Sequence, residues 1–291
     1  MWLAYTLVSV FILIMLLAWR PLWFMNTWAR FSSVRMRSNL AYDLNPRHKL
    51  DVYLPKTPNS HLVLVFVHGG AWDDGHKNDY RFAGTALANA GFIVAVPTYR
   101  LYPEVQYPHF VDDVAKALGA LPRLLSDIEV ASDKGLDVVL IGHSAGAHTV
   151  AMLAHEQFDE VCVKGIVGLA GPYDLPLDDP LVVGKFDPVT PHEDDHPKRD
   201  NIACNPHDAN PIVQAVRGMP PHLLIHGQKD VTVGPYHTQR MAEKLERLAV
   251  RCETHFYAQT NHRHLVGALS PLFRFLNPVY RDVIRFVRTL A

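Results

Sequence analysis

The sequence predicts an α/β fold: a mainly parallel sheet with helices on both faces. Three observations carry that expectation. Short apolar runs, several rich in β-branched residues, occupy positions 62–67, 92–96, 137–141, 163–169 and 222–226, and uninterrupted runs of this kind are buried on both faces of parallel sheets. Segments of helical length lie between or after them at 80–90, 110–125, 147–154 and 238–248, and strands alternating with helices imply crossover connections. The 291 residues, 48% hydrophobic and 20% charged, suffice for one large core.

Taken in order, two strands are expected at 39–42 and 50–54, joined by a turn at Asn45-Pro46 and closed by Pro55 and Pro58. The run 62–67 follows and ends in His68-Gly69-Gly70-Ala71-Trp72. From 172 to about 213 the pattern lapses into Pro, Asp and His with little periodicity. The main domain is therefore read as 38–291, with 172–215 an irregular cap inserted in it. The sheet resumes at 222–226 and ends in a strand at 253–257. No internal repeat is visible.

Residues 2–19 contain no charge and are about long enough to cross a bilayer as a helix. Trp2, Trp19, Trp23 and Trp28 frame the run as an interfacial aromatic belt would. No Lys or Arg precedes the apolar core and no small-residue cleavage site follows it, so an anchor is favoured over a cleaved signal. Residues 1–30 are thus expected to form one N-terminal transmembrane helix and a short interfacial segment. Arg20, Arg30, Arg35 and Arg37 all follow the span, which places the domain that follows in the cytoplasm by the positive-inside bias.

A net charge of -1 gives no basis for a nucleic-acid partner. Cys162, Cys204 and Cys252 are odd in number and widely spaced, forming neither a disulfide framework nor a C-x-x-C metal site. Free thiols in a reducing compartment are the expected state.

The chemistry centres on Gly142-His143-Ser144-Ala145-Gly146, between the strand at 137–141 and the helix at 147–154. A G-x-S-x-G run in that position is a nucleophile elbow, in which a tight, strained turn lifts the serine hydroxyl clear of the sheet. A serine hydroxyl needs a base in hydrogen-bond reach, and the base needs a carboxylate to hold its tautomer. Asp230 follows the strand at 222–226, and His262 follows the last strand. The order Ser, Asp, His is that of α/β-hydrolases. His264 and His255 compete with His262. The first is expected to fill space at the start of a 265–269 helix, and the second lies within a strand. Asp174 competes with Asp230 but is expected to shape the acyl pocket. The oxyanion formed on attack needs preplaced donors, and the backbone N–H groups of Gly70, Ala71 and Ala145 are the candidates.

These residues resemble those of α/β-hydrolases of the hormone-sensitive-lipase and bacterial carboxylesterase kind. The closer likeness is to the subgroup with H-G-G-x-W, which includes feruloyl-esterase-like enzymes, kynurenine formamidases and isoprenylcysteine methylesterases. The matching pieces are Leu50-Asp51-Val52-Tyr53-Leu54-Pro55, His68-Gly69-Gly70-Ala71-Trp72, Tyr99-Arg100-Leu101, Gly142-His143-Ser144-Ala145-Gly146, Gly171-Pro172-Tyr173-Asp174, His226-Gly227-Gln228-Lys229-Asp230 and His262. They span residues ~40 to 285. The resemblance implies hydrolysis of a small-molecule acyl ester or amide without a metal or other cofactor. Trp72 and Tyr173 are the expected pocket residues, with Trp72 and Tyr99 serving as wall and support. Two features depart from the family pattern: the membrane-spanning start, and the lack of a substantial N-terminal helical cap.

The functional expectation is a membrane-anchored serine carboxylesterase. Its rivals are an arylformamidase with the same triad and a non-catalytic binding protein on the same fold. His192 and His196 stand at a spacing a metal could use, but in a Pro-rich acidic stretch expected to be a solvated loop. His143 and His148 flank the elbow and are expected to pack.

Overall fold

In the computed structural model of the protein, residues 20–128, 130, 135–176, 179–186 and 206–291 are described, together with residues 2, 5 and 6. The chain opens with α1 (Pro21–Ala29), β1 (Arg35–Ala41) and β2 (Lys49–Leu54). It continues through β3 (Val63–Val67), α2 (Arg81–Ala88), β4 (Ile93–Pro97) and α3 (His109–Asp127). Next come β5 (Leu136–His143), α4 (Ala145–Met152) and β6 (Val161–Leu169). The connection to the next strand holds α5 (Pro180–Phe186) and α6 (Pro211–Gln214). The chain closes with β7 (His222–Gly227), α7 (Tyr236–Arg247), β8 (Cys252–Tyr257), α8 (His262–Gly267) and α9 (Val279–Arg288).

The eight strands form one sheet in the order β1-β2-β4-β3-β5-β6-β7-β8. β2 pairs antiparallel with β1 and β4, and every pair from β4 to β8 is parallel. A sheet buried on both faces needs helices above and below, and the helical periodicity supplies them. On α3 the residues Phe110, Val114, Leu118, Leu121 and Leu125 recur every three or four positions and face one core, which α4 and α7 share. α1, α2, α8 and α9 cover the other face through Met25, Phe82, Leu265, Val283 and Phe286.

The chain order reverses where β3 and β5 lie side by side, Val67 beside Gly142. At such a switch point the loops after neighbouring strands diverge and leave a crevice at the carboxyl ends. Here those loops are the His68-Gly69-Gly70 turn and the elbow at Ser144. The alternating α/β architecture thus agrees with the expectation, and its topology brings together two motifs that lie far apart in sequence.

Two of the expected segments, β1 and 172–215, differ in the structure. β1 runs from Arg35 to Ala41 instead of 39–42, because it is an edge strand with mostly exposed Arg, Ser and Asn and gives no apolar signal. The 172–215 stretch is not wholly irregular, since its described part contains α5 and α6. Among the described residues no helix is long and apolar enough to cross a membrane. The segment expected to do so, residues 2–19, lies outside the described residues except for 2, 5 and 6. Cys162 and Cys252 are free.

Candidate active site

Ser144 sits between β5 and α4 at φ 54°, ψ -121°, a left-handed conformation that L-residues adopt only under constraint. The flanking glycines are what allow it. A Cβ on Gly142 would strike the backbone of Gly146, and one on Gly146 would strike the carbonyls of Val67 and His68. The turn is therefore closed by direct contact of strand, helix and oxyanion loop. The Ser144 N–H donates to Leu169 O at 2.9 Å, which ties the elbow to β6.

His262 is the first residue of α8 rather than a loop residue. The Asn261 side chain caps the helix by accepting from His264 N at 2.9 Å. The cap fixes the His262 backbone, and Nδ1 of its ring donates to Asp230 Oδ2 at 2.7 Å. That bond leaves Nε2 as the unprotonated nitrogen of a neutral ring. His264 does not fill space as expected, because its side chain is exposed. His255 lies within β8 and meets Arg285. Asp230 is fully engaged: Oδ1 accepts from Thr232 N and Val233 N, both at 2.9 Å. Burial pushes its carboxyl up, but the bonds from His226, His262 and Val233 outweigh that and hold it well below the ordinary carboxylate range.

The His262 ring lies 4.8 Å from that of His143, centroid to centroid. His143 Nε2 donates to the His262 carbonyl at 3.3 Å, and Tyr80 Oη lies 3.4 Å from His143 Nδ1. His143 immediately precedes Ser144, so it stitches the start of α8 to the elbow. Burial, followed by the charge that His262 can carry, lowers its pKa to about 3 and keeps it neutral. His148 is also fully buried, with Nε2 donating to Ala209 O at 2.8 Å. Both are packing residues, as expected.

Gly70, Ala71 and Trp72 all have positive φ, at 126°, 49° and 62°. A Cβ on Gly70 would fall on the carbonyl of Asp74, and the Gly70 carbonyl accepts from Asp73 N and Asp74 N. The loop thus turns its acceptors inward. The N–H groups of Gly70, Ala71 and Ala145 have no protein acceptor among the described residues. Beneath them, the His68 ring stacks on Tyr99 at 4.3 Å, and Tyr99 Oη donates to His68 O at 2.9 Å. Tyr99 is thus a support, as expected.

Of the expected pocket residues, Trp72 is buried, with its ring against Phe110, His148 and Phe186. Tyr173 corrects the reading. It is fully buried and pressed onto Gly168 and Gly171, so its ring supports β6 and does not face the cleft. Asp174 pairs with Arg240 of α7 instead of shaping a pocket. Three features lie outside the sequence reading. His226, fully buried, has Nε2 3.3 Å from Asp230 Oδ2. Phe186 of α5 roofs Trp72. Lys185 binds Asp73 of the oxyanion loop at 2.6 Å. The position of His226, four residues before Asp230 at a strand's end, is the one signal in the sequence that could have marked it.

Among the described residues no group of three or more His, Cys, Asp or Glu is placed to hold a metal ion. His192 and His196 lie outside the described residues.

Residues 50–245 match the BD-FAE family. The chain is 26% identical to the probable isoprenylcysteine alpha-carbonyl methylesterase ICMEL1 of Arabidopsis thaliana over 88% of this chain and 57% of that protein. It therefore spans less than two thirds of that relative's length. It is 30% identical to the kynurenine formamidase of Salmo salar over 47% of this chain and 46% of that protein. Among solved structures, a truncated carbohydrate esterase from gut microbiota superposes with a TM-score of 0.69 at 18% identity, covering 88% of this chain and 96% of that one. That likeness is one of fold. With the family match covering most of the sheet and the elbow at its centre, the chain belongs to the BD-FAE family of hormone-sensitive-lipase-like α/β-hydrolases.

Proposed function

We propose that the protein is a serine carboxylesterase that cleaves small acyl esters through an acyl-enzyme. The observation that carries this reading is the strained Ser144 turn beside the 2.7 Å pair of His262 and Asp230. Ser144 Oγ attacks the ester carbonyl while His262 Nε2 takes its proton. Asp230 holds the tautomer and stabilises the imidazolium that forms. The negative charge developing on the carbonyl oxygen is met by the N–H groups of Gly70, Ala71 and Ala145, the last at the positive end of α4. The loss of one such donor costs roughly 2.7–4 kcal/mol of barrier. His262 then protonates the leaving alcohol, and water repeats the cycle on the acyl-enzyme. The described part of 172–215 acts as a cap, with Phe186 packed over Trp72. Residues 2–19 anchor the chain in a membrane, with the domain on the cytoplasmic side.

The second reading, hydrolysis of an aryl formamide by the same groups, is favoured by the likeness to a kynurenine formamidase. A series of p-nitrophenyl esters of rising acyl length, run beside N-formylkynurenine on the detergent-solubilised chain, separates the two. Ester turnover, lost together with fluorophosphonate labelling in Ser144→Ala, is the expected result. Turnover of the formamide alone selects the second reading. Absence of labelling in the parent chain would leave a binding protein on a hydrolase fold.

A further inference from the structure

The loop 68–75 carries the donors that the proposed mechanism aims at the oxyanion, yet its backbone is strained. Gly70, Ala71 and Trp72 are three successive residues at positive φ, and only glycine adopts that region without cost. Other residues stay there only where the surrounding structure holds them. Inside the loop, the bonds from Asp73 N and Asp74 N to the Gly70 carbonyl close a single tight turn. They do not fix that turn against the rest of the domain.

The hold comes from behind, through Gly75. A Cβ on Gly75 would lie 2.4 Å from Gly69 O and 2.7 Å from His68 Nδ1, so its backbone rests directly on both residues. The Gly75 carbonyl accepts from Nη2 of Arg47 at 2.9 Å. Nε of the same guanidinium donates to the Tyr99 carbonyl at 2.8 Å. Tyr99 in turn stacks on the His68 ring at 4.3 Å and donates from Oη to His68 O at 2.9 Å. Arg47, Gly75, His68 and Tyr99 thus form a closed ring of contacts around the foot of the oxyanion loop.

Arg47 reaches this point from the turn between β1 and β2, which is itself fixed. Its N–H donates to Asn45 Oδ1 at 2.9 Å, and its carbonyl accepts from Lys49 N at 2.7 Å. The residue is half-buried and forms no ion pair among the described residues; both guanidinium bonds go to backbone carbonyls. Hydrogen bonds from a charged donor are roughly twice as strong as neutral ones, and the planar fork fixes direction as well as distance. A lysine in that place could reach one carbonyl but could not bridge the two.

The geometry points to Arg47 as a positioning residue for ester hydrolysis. It touches no substrate, and it sets the N–H groups of Gly70 and Ala71 by locking Gly75 and Tyr99 around His68. This rests on the reading of those N–H groups as oxyanion donors of a serine esterase. Such donors act where charge develops on the carbonyl oxygen, so their displacement appears in kcat and not in KM. A misplacement of about 1 Å can cost roughly a hundredfold.

The test compares the full chain in detergent with Arg47→Gln, Arg47→Lys and Gly75→Ala, each normalised to the serines that a fluorophosphonate labels. Two substrates are used, a short p-nitrophenyl ester and its thiono counterpart. The latter places sulfur, a weak hydrogen-bond acceptor, where the oxyanion would form. In Arg47→Gln, kcat on the ester should fall about ten- to a hundredfold with KM nearly unchanged. Turnover of the thionoester should fall far less, so the preference for the oxygen ester shrinks by a similar factor. Arg47→Lys should recover part of the loss. Gly75→Ala, which pushes on Gly69 from the same point, should shrink the preference too, and it decides the matter if Arg47→Gln does not fold. Equal losses on the two substrates, or an unchanged kcat, would overturn the proposal and leave Arg47 a staple of the β1–β2 turn. If the parent chain neither labels nor turns over the ester, the esterase reading itself falls, and this assignment with it.

Discussion

Nε2 of His226 lies 3.3 Å from the same Asp230 oxygen that receives His262. The Val233 carbonyl accepts from that nitrogen at 2.9 Å, so Nε2 carries the proton. Nδ1 accordingly accepts from the Thr238 hydroxyl at 2.8 Å. A fully buried imidazole thus presents a fixed N–H to the carboxylate from the end of β7.

His226→Leu should lower kcat by roughly ten- to a hundredfold, since a hydrogen bond to a charged group is worth about 1.5–3 kcal/mol. KM for a short ester should change little, because His226 does not reach the cleft. His226→Gln keeps an N–H and should recover part of the loss. Equal losses in both variants would mean that the residue only fills space.

The pairing of His262 with Asp230 sets up a comparison two residues apart. His262→Ala should cut turnover by about four orders of magnitude or more, as removal of a triad base does. His264→Ala should cost little, since its side chain is exposed and only its backbone takes part in the Asn261 cap. Steady-state kinetics on one soluble ester decides it, and a reversed ranking would move the base to His264.

α5 is held over Trp72 by one ion pair and one ring. Lys185 meets Asp73 at 2.6 Å, and Phe186 is buried against Trp72, Tyr107, Phe110 and His148. Asp73 is 43% exposed, so the pair adds at most about 1 kcal/mol to global stability. Lys185→Met should therefore leave the melting temperature nearly unchanged. It should raise KM for longer acyl chains more than for acetate, because the roof of the pocket loosens. Lys185→Arg should restore the parent values.

The central strands and the elbow were legible because their signals are local. A run such as Val63–Val67 is apolar at every position, and two glycines around Ser144 mark a turn that no other residue tolerates. The Asp230–His262 pair was legible from the places of both residues just after the last two strands and from the order Ser, Asp, His. What escaped depends on contacts between distant segments. β1 pairs by backbone along an exposed edge, so side-chain hydrophobicity does not report it. The engagement of Asp174 with Arg240 spans 66 residues, and that of Lys185 with Asp73 spans 112. Tyr173 misled because its motif position says nothing about which way the ring turns. α9 is different: Val279, Val283, Phe286 and Val287 recur at helical spacing, so its signal is present in the sequence.

The last prediction concerns acid. His68, His148, His222 and His237 have pKa values lowered to about 4, and His143 to about 3, in each case chiefly by burial. In the unfolded chain each titrates near 6.5. Between those values the unfolded chain binds protons that the folded chain does not, so stability rises with pH there and is lost as pH falls from about 6.5 toward 4. Each such histidine weakens the fold by up to about 1.4 kcal/mol per pH unit across that window. Asp230 and Asp113 act in a lower window, since their folded pKa values are depressed and their contribution disappears only below about pH 4. Urea midpoints of the full chain in detergent, taken from pH 8 to pH 4.5, should be flat down to about 6.5 and then fall steeply. His148→Asn, which removes one titrating group away from the Asp230–His262 pair, should make that fall shallower by about one proton. A midpoint that stays constant to pH 5 would mean that these rings are protonated inside the fold.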